Sequence, residues 1–370
     1  MRAVAVTPSS KAVSLINMAE PKLSSPTDVK LRMIEAGVCG TDREICSFDY
    51  GTPPSGMTDL VIGHESLGEI VEIGPKVARL KVGDLVVPMV RRPCPHDYCM
   101  ACRSSRQDFC FTGDFTERGI KEQHGFMAQF VVDDEKFMNL VPQEVSEIAV
   151  LVEPLTIAEK GLAQVWNIQQ RLPWACPIIP GKAQAHCHKA VVLGAGPVGL
   201  LGAMALVNAG FATYVYAREA APNAKSAVLE MIGAQYRSTQ THSLEQLAAE
   251  IGNIGLVYEA TGASRLAFDM MQFLGTNGIF IFTGVPGRKG PVQVDTDLIM
   301  RNLVLKNQVL FGTVNAGRDT FEAAIHDLQT FSNAWPEAVQ SLITGRFQMT
   351  DHRELLLGKP TGIKNVIQLN

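Results

Sequence analysis

The stretch KAVVLGAGPVGLLGAMALVNAG (189–210) sets Gly194, Gly196 and Gly199 in a G-x-G-x-x-G pattern between an apolar run and a helix-forming segment that starts with proline. Few folds accommodate that order. The first glycine makes a tight turn, the second admits a close backbone approach by a pyrophosphate, and the third lets helix and strand pack closely. The helix N-terminus adds a field that attracts negative charge. The same glycines also suit a purely structural turn, so the surrounding pattern decides. FATYVYAR (211–218) reads as a second strand, followed by a helix near 222–233. LVYEATG (256–262) and GIFIFTGV (278–285), with a helix between them, and QVLFGTV (308–314) continue the series. Apolar strands alternating with helices indicate a parallel sheet covered on both faces. The expected fold class is α/β, with a doubly wound dinucleotide-binding domain over 187–316. Gly194, Ala195, Gly196, Pro197, Val198 and Gly199 would hold the nucleotide.

A chain of 370 residues is too long for one core, so a second domain is expected. The first 150 residues supply it, being rich in β-branched residues, glycine and proline. DLVIGHESLGEIVEIG (59–74) and KVGDLVVPMV (81–90) look like strands. A helical pattern over 152–172 breaks at Pro173, and 173–188 has linker composition. After about 317 the chain reads as helical (RDTFEAAIHDLQTF) and then polar. The second domain is therefore placed at 1–186, completed by 317–370. A net charge of −4 provides no basic field for nucleic acid. No apolar run reaches the ~18–20 residues of a membrane span. The N-terminal MRAVAVTPSSK has no secretory pattern, so a cytoplasmic location is expected.

Eight cysteines in such a compartment point to metal or catalytic thiols before disulfides. Cys94, Cys99, Cys102 and Cys110, spaced C-x4-C-x2-C-x7-C, suit a closed structural zinc site, with His96 as a competitor to Cys94 for the first ligand position. Cys39 in AGVCGTD, His64 and Glu65 in GHES, and Glu153 in VEP form a dispersed Cys, His and carboxylate set that suits a catalytic zinc with one open position. Taken singly, Cys39 is an ordinary buried thiol and His64 an ordinary strand histidine. At the tip of the second strand stand Tyr216, Ala217, Arg218 and Glu219. With no acid on the tip itself, Arg218 can pair with a 2′-phosphate, while Glu219 could reach a ribose from one residue further on.

Cys39-Gly40-Thr41-Asp42, Gly63-His64-Glu65 with Gly68, Gly74 and Val77, the four-cysteine loop and the glycine loop together resemble the zinc-containing medium-chain alcohol dehydrogenases. CGTDREIC (39–46), RRPC (91–94), DFCFTGDFTERGI (108–120), HGFM (124–127), VEPLTIAEK (152–160) and GTVNAGRDTFEAA (312–324) resemble their glucose 1-dehydrogenase family more narrowly. The resemblance implies a GroES-like catalytic domain joined to a Rossmann domain, with the reaction in the cleft between them. It implies two zinc ions per chain, NADP or NAD as cofactor, and oxidation of an aldose, D-glucose, at C1 to the aldonolactone. Metal ligands would be Cys39, His64, Glu65 and Glu153 at the catalytic site, where Thr41 would relay a proton. Sugar contacts would be Thr41, Glu117, Glu153 and Asn315, with Glu117 and Asn315 gripping the substrate from the two sides of the cleft. Cofactor contacts would add Ala217, Arg218, Glu219, Thr283, Gly284, Val285, Thr313, Val314 and Asn315 to the glycine loop. The partner is a small sugar, and a homo-oligomer, dimer or tetramer, is expected.

The chain departs from the family in two places. The first gap of its cysteine loop is two residues longer than the family's C-x2-C-x2-C-x7-C, and Cys94 is preferred over His96 on thiolate affinity. Val90 stands where some relatives carry asparagine before the paired arginines, which widens the expected epimer range. A zinc-dependent secondary alcohol or polyol dehydrogenase is the alternative enzyme. A non-catalytic nucleotide-binding protein would predict a broken ligand set. Cys46 reads as a packed thiol, Arg91 and Arg92 as partners of loop carbonyls or carboxylates, and Cys176, Cys187, His186 and His188 as members of a solvated loop, with a small adventitious metal site as the alternative.

Overall fold

A computed structural model of the protein describes residues 1–287 and 290–369. Two compact units emerge. One comprises Met1–Thr156, Asn315–Ser332 and Ile343–Asn370; the other comprises Ile157–Val314 and Asn333–Leu342. Sequence composition sets the boundary at 186/187, whereas the units part within the helix Val152–Gln169. That helix is tied to the second unit along its later turns. Gln164 Nε2 donates to Thr313 Oγ1 at 3.0 Å, and Gln169 Nε2 to Asn277 O at 3.2 Å. Asn315, assigned to the nucleotide domain from sequence, belongs to the first unit.

In the first unit the principal sheet runs Met138–Leu140, Leu85–Pro88, Glu65–Ile73, Asp28–Gly37, Lys364–Gln368, Ile343–Gln348, with Phe130–Asp134 also paired to Asp28–Gly37. Two smaller sheets flank it in sequence, one from Ala12–Asn17, Arg2–Thr7 and Leu60–Val61, the other from Arg91–Arg92, Thr116–Arg118 and Glu122–Gln123. The register of the principal sheet matters most. Gly37 lies opposite Glu65 on one side and Val366 on the other. The end of Asp28–Gly37 and the starts of Glu65–Ile73 and Lys364–Gln368 therefore meet. From sequence the last segment is expected to be a polar tail. It is instead a buried strand, because Lys364, Val366 and Ile367 turn inward.

The second unit holds six parallel strands in the order Gln235–Ser238, Ala212–Ala217, Lys189–Leu193, Ile254–Glu259, Leu274–Phe282, Val309–Gly312. Numbered along the chain this is 3-2-1-4-5-6, the Rossmann arrangement. Val191, Leu193, Val257 and Phe280 from the strands pack with Leu247, Ile251 and Met270 from the helices. The strand Gln235–Ser238 is absent from the sequence series because its four residues, QYRS, give a polar edge strand without an apolar run. Local chemistry sets the helix ends. Pro197 occupies the first turn of Pro197–Asn208, and Asn223 caps Ala224–Met231 by accepting from the backbone of Lys225 and Ser226. Among the described residues, no helix is long and apolar enough to cross a membrane.

The segment 173–188 corrects one expectation. Cys176 and Cys187 are joined by a disulfide, so this stretch is a cross-linked loop and not simply a solvated one. The remaining six cysteines are free thiols.

Candidate metal and nucleotide sites

Cys39 is the N-cap of the short helix Gly40–Cys46, immediately beyond the strand Asp28–Gly37. His64 and Glu65 lie at the start of the neighbouring strand. Sheet register therefore brings together residues far apart in sequence. One donor atom from each of Cys39, His64 and Glu65 lies within 4.8 Å of the others. Asp42, wholly buried, stands behind this trio: its Oδ2 accepts from Cys39 N at 2.9 Å and its Oδ1 is 3.3 Å from His64 Nδ1. Burial pushes the His64 imidazole down, but the Asp42 carboxylate and Cys39 outweigh it and raise its pKa well above the usual value. With Nδ1 turned to Asp42, Nε2 is the nitrogen left for an ion.

Lys364 completes the electrostatics and was missed from sequence. It is 2% exposed, and its Nζ donates to Glu65 Oε2 at 2.5 Å and to Val38 O at 3.3 Å. Nothing in TGIKNVIQL marks it, since its partner is 299 positions away. Glu153, in the first turn of Val152–Gln169, is buried but lies outside the trio of close donors. Burial, helped by the charge of Glu65 and opposed by His64, pushes its carboxyl up to about 7. Thr41, half-buried, sits in the first turn of Gly40–Cys46.

Glu117 and Asn315 are in direct contact: Asn315 Nδ2 donates to Glu117 Oε1 at 3.0 Å, and both are buried. The expectation that they approach a substrate from opposite domains is thereby corrected. Arg91 holds the same oxygen through Nε at 3.0 Å and Nη2 at 2.9 Å, and points Nη1 at the carbonyls of Gln107 and Asp108. Arg92 pairs with Asp133. Both arginines thus serve carboxylates and carbonyls of the protein, as the sequence reading had it.

Cys94, Cys99, Cys102 and Cys110 offer four sulfurs within 4.8 Å of one another. His96 is not among them, because its Nε2 lies 2.5 Å from Asp114 Oδ2 and its ring stacks on Tyr98. The cluster is electrostatically uneven. Burial and neighbouring thiols push Cys102 up to about 12. Burial also raises Cys110, but hydrogen bonds from Thr112 and Gly113 prevail and hold it down at about 6. Thiols this close compete for protons, which a divalent cation would displace.

In the second unit the glycine loop has the geometry its spacing requires. Gly194 has φ +100°, and a side chain there would strike Thr261; one at Gly199 would strike Gly194 O. Gly196, the N-cap of Pro197–Asn208, has open space where a side chain would project. Ala195 is buried and Pro197 and Val198 form the first helical turn. Ala217 ends its strand, Arg218 is exposed, and Glu219 pairs with Lys225 Nζ at 2.6 Å. Glu259, another residue missed from sequence, organises the neighbouring strand ends. Its carboxylate accepts from Thr261 N and Oγ1, Gly262 N and Gly284 N, while its carbonyl accepts from Thr283 Oγ1. Val285 and Val314 are exposed, Lys160 Nζ donates to Val314 O at 3.0 Å, and Thr313 is held by Gln164.

Two family models match the chain: the alcohol dehydrogenase GroES-like domain over 25–143 and the glucose dehydrogenase C-terminus over 146–369. The glucose 1-dehydrogenase of Methanocella arvoryzae is 36% identical, covering 100% of this chain and 99% of its own. That of Thermoproteus tenax is 35% identical, again over 100% and 99%. Among solved structures, Haloferax mediterranei glucose dehydrogenase in complex with NADP, Zn and gluconolactone superposes with a TM-score of 0.88 at 30% identity, covering 100% and 99% of the two chains. With its Cys39, His64 and Glu65 cluster, its four-thiol loop and its glycine loop, the chain belongs to the glucose 1-dehydrogenase family of the zinc-containing medium-chain alcohol dehydrogenases.

Proposed function

We propose that this chain oxidises D-glucose at C1 to gluconolactone, using zinc and passing hydride to NADP, with NAD as a second acceptor. The observation that carries the reading is the convergence of Cys39, His64 and Glu65 donors within 4.8 Å, backed by Asp42. This donor chemistry fits zinc, and three protein ligands of this kind leave one position for a substrate hydroxyl. Cys39 and His64 would hold the ion together with Glu65 or Glu153. Bound zinc lowers the pKa of a hydroxyl it contacts, and the nicotinamide accepts the hydride. Thr41 passes the hydroxyl proton towards solvent. Cys94, Cys99, Cys102 and Cys110 hold a second, structural zinc, giving two per chain in the disulfide form.

Glu117 and Asn315 act as one unit towards the sugar, the Arg91 pair fixing the carboxylate and Asn315 extending it. Asn315→Ala leaves the Arg91–Glu117 pair in place. It is expected to lower kcat/KM for glucose roughly 10- to 150-fold, the equivalent of about 1.5–3 kcal/mol for a hydrogen bond involving a charged group. An unchanged kcat/KM would remove Asn315 from the sugar site. Galactose is expected as a weaker substrate, given Val90.

Cofactor choice follows from the tip of the strand Ala212–Ala217. Lys225 draws off the charge of Glu219, and Arg218 is exposed to meet a 2′-phosphate. Ala217→Asp should move the preference from NADP towards NAD, read as the ratio of the two kcat/KM values. A wild type that ignores NADP would mean that Glu219 governs the ribose. Assembly as a dimer or tetramer and a cytoplasmic location belong to the same reading.

A panel of aldoses and polyols, each with both cofactors, tests the function. Turnover of aldoses with lactone as product supports it. Turnover of polyols or secondary alcohols alone supports the alternative enzyme.

A further inference from the structure

The cross-linked segment 173–188 brings together groups that the chemistry above leaves unused. The two sulfurs of Cys176 and Cys187 and a ring nitrogen of His188 lie within 4.8 Å of one another. Cys187 is exposed, and Cys176 and His188 are half-buried, so the cluster lies near the surface. The His188 ring rests 6.0 Å from that of Phe211. His186 donates from Nδ1 to Ala183 O at 3.0 Å. A disulfide alone needs no imidazole beside it. Moreover, the other six cysteines are free thiols, and a milieu that keeps them reduced also tends to reduce an exposed disulfide.

We infer that reduction of the Cys176–Cys187 bond converts this segment into a third metal site, in which Cys176, Cys187 and His188 hold a thiophilic divalent ion of the zinc class. The redox step requires a dithiol. It breaks the S–S bond, gives two electrons and two protons to form two thiols, and closes its own disulfide. Metal binding then releases the two thiol protons, and a solvent-derived fourth ligand completes the tetrahedral set. Disulfide and metal use the same sulfurs, so the two states exclude each other.

The full chain is compared as oxidised protein and after dithiothreitol treatment with anaerobic removal of the reductant. Thiols are counted, and zinc content is measured against a chromophoric chelator. The reduced chain should show two more thiols and one more equivalent of zinc, released again when a mild oxidant restores the disulfide. The double variant Cys176→Ser, Cys187→Ser should hold the same zinc in both treatments. His188→Ala should keep the two extra thiols but lose the extra zinc at a chelator concentration that the wild type withstands. Equal zinc in oxidised and reduced wild type overturns the inference, as does an extra equivalent that His188→Ala retains. If the double variant does not fold, the wild-type comparison and His188→Ala decide.

Discussion

His64→Ala is expected to lower kcat for glucose oxidation by about 10³-fold or more while the far-UV spectrum stays that of the wild type. Loss of a metal ligand removes the several kcal/mol by which the ion stabilises developing charge, at about 1.4 kcal/mol per tenfold in rate. Asp42→Asn provides a graded comparison. Asp42 touches His64 Nδ1 at 3.3 Å and Cys39 N at 2.9 Å, so it orients two candidate ligands without being one. A change of this type typically costs about 10–100-fold in metal affinity or activity. The pair of variants should therefore separate by at least tenfold in kcat, with zinc at the catalytic site lost in the first and weakened in the second. Equal activity in His64→Ala and wild type would remove the trio from the chemistry.

Asp133→Asn is expected to be the most destabilising of the conservative changes in the first unit. The Asp133 side chain is 8% exposed, and its Oδ2 takes Arg92 Nη2 and Arg118 Nη2, each at 2.5 Å. Arg92 also lies 4.0 Å over the Phe137 ring, and its own side chain is 8% exposed. Removing the carboxylate takes from two largely buried guanidinium groups the anion they both contact, leaving Arg92 only the more distant charge of Asp134. Breaking such a pair generally costs about 3–5 kcal/mol, and urea unfolding at pH 7 measures it. The pH dependence has a definite sign. Burial raises the Asp133 pKa, but the two arginines outweigh it and hold the carboxyl well below the usual range. A group with a depressed folded-state pKa contributes its stability in full above the unfolded value, about 3.9, and loses it as pH falls towards the folded value. Wild-type stability should therefore decline below about pH 4, and Asp133→Asn should flatten that decline. A shift of less than about 1 kcal/mol at pH 7 would place the pair among ordinary surface ion pairs.

How much was legible in the sequence depended on whether the relevant contact was local. The glycine loop and its flanking strand and helix are consecutive in the chain, so Gly194, Gly196 and Gly199 announce their geometry directly. The four-cysteine loop is nearly as local; the sequence leaves Cys94 and His96 as competitors, and the coordinates add that the Cys94 sulfur lies with the other three while His96 contacts Asp114. Cys39, His64 and Glu65 were legible as a set only through their motifs, because sheet register, not spacing, makes them neighbours. Lys364 had no signal at all. A lysine in an alternating C-terminal segment reads as solvated until Val366 is seen to pair with Gly37, beside the strand that begins with Glu65. Asp133 and Glu259 were silent for the same reason, each being a single acid whose partners arrive from other elements. The Glu117–Asn315 contact spans 198 positions, and the disulfide required the loop to fold back on itself.

The central claim is that the Cys39, His64 and Glu65 trio supports zinc-dependent oxidation at C1 of an aldose. The direct measurement removes metal from the purified chain with a chelator, adds zinc back in known amounts, and follows NADP reduction with glucose while the product is identified. The account predicts no turnover without metal, recovery on zinc addition, and gluconolactone as the product. Full glucose oxidation by metal-free protein, or zinc-restored turnover of polyols with none of glucose, would contradict it.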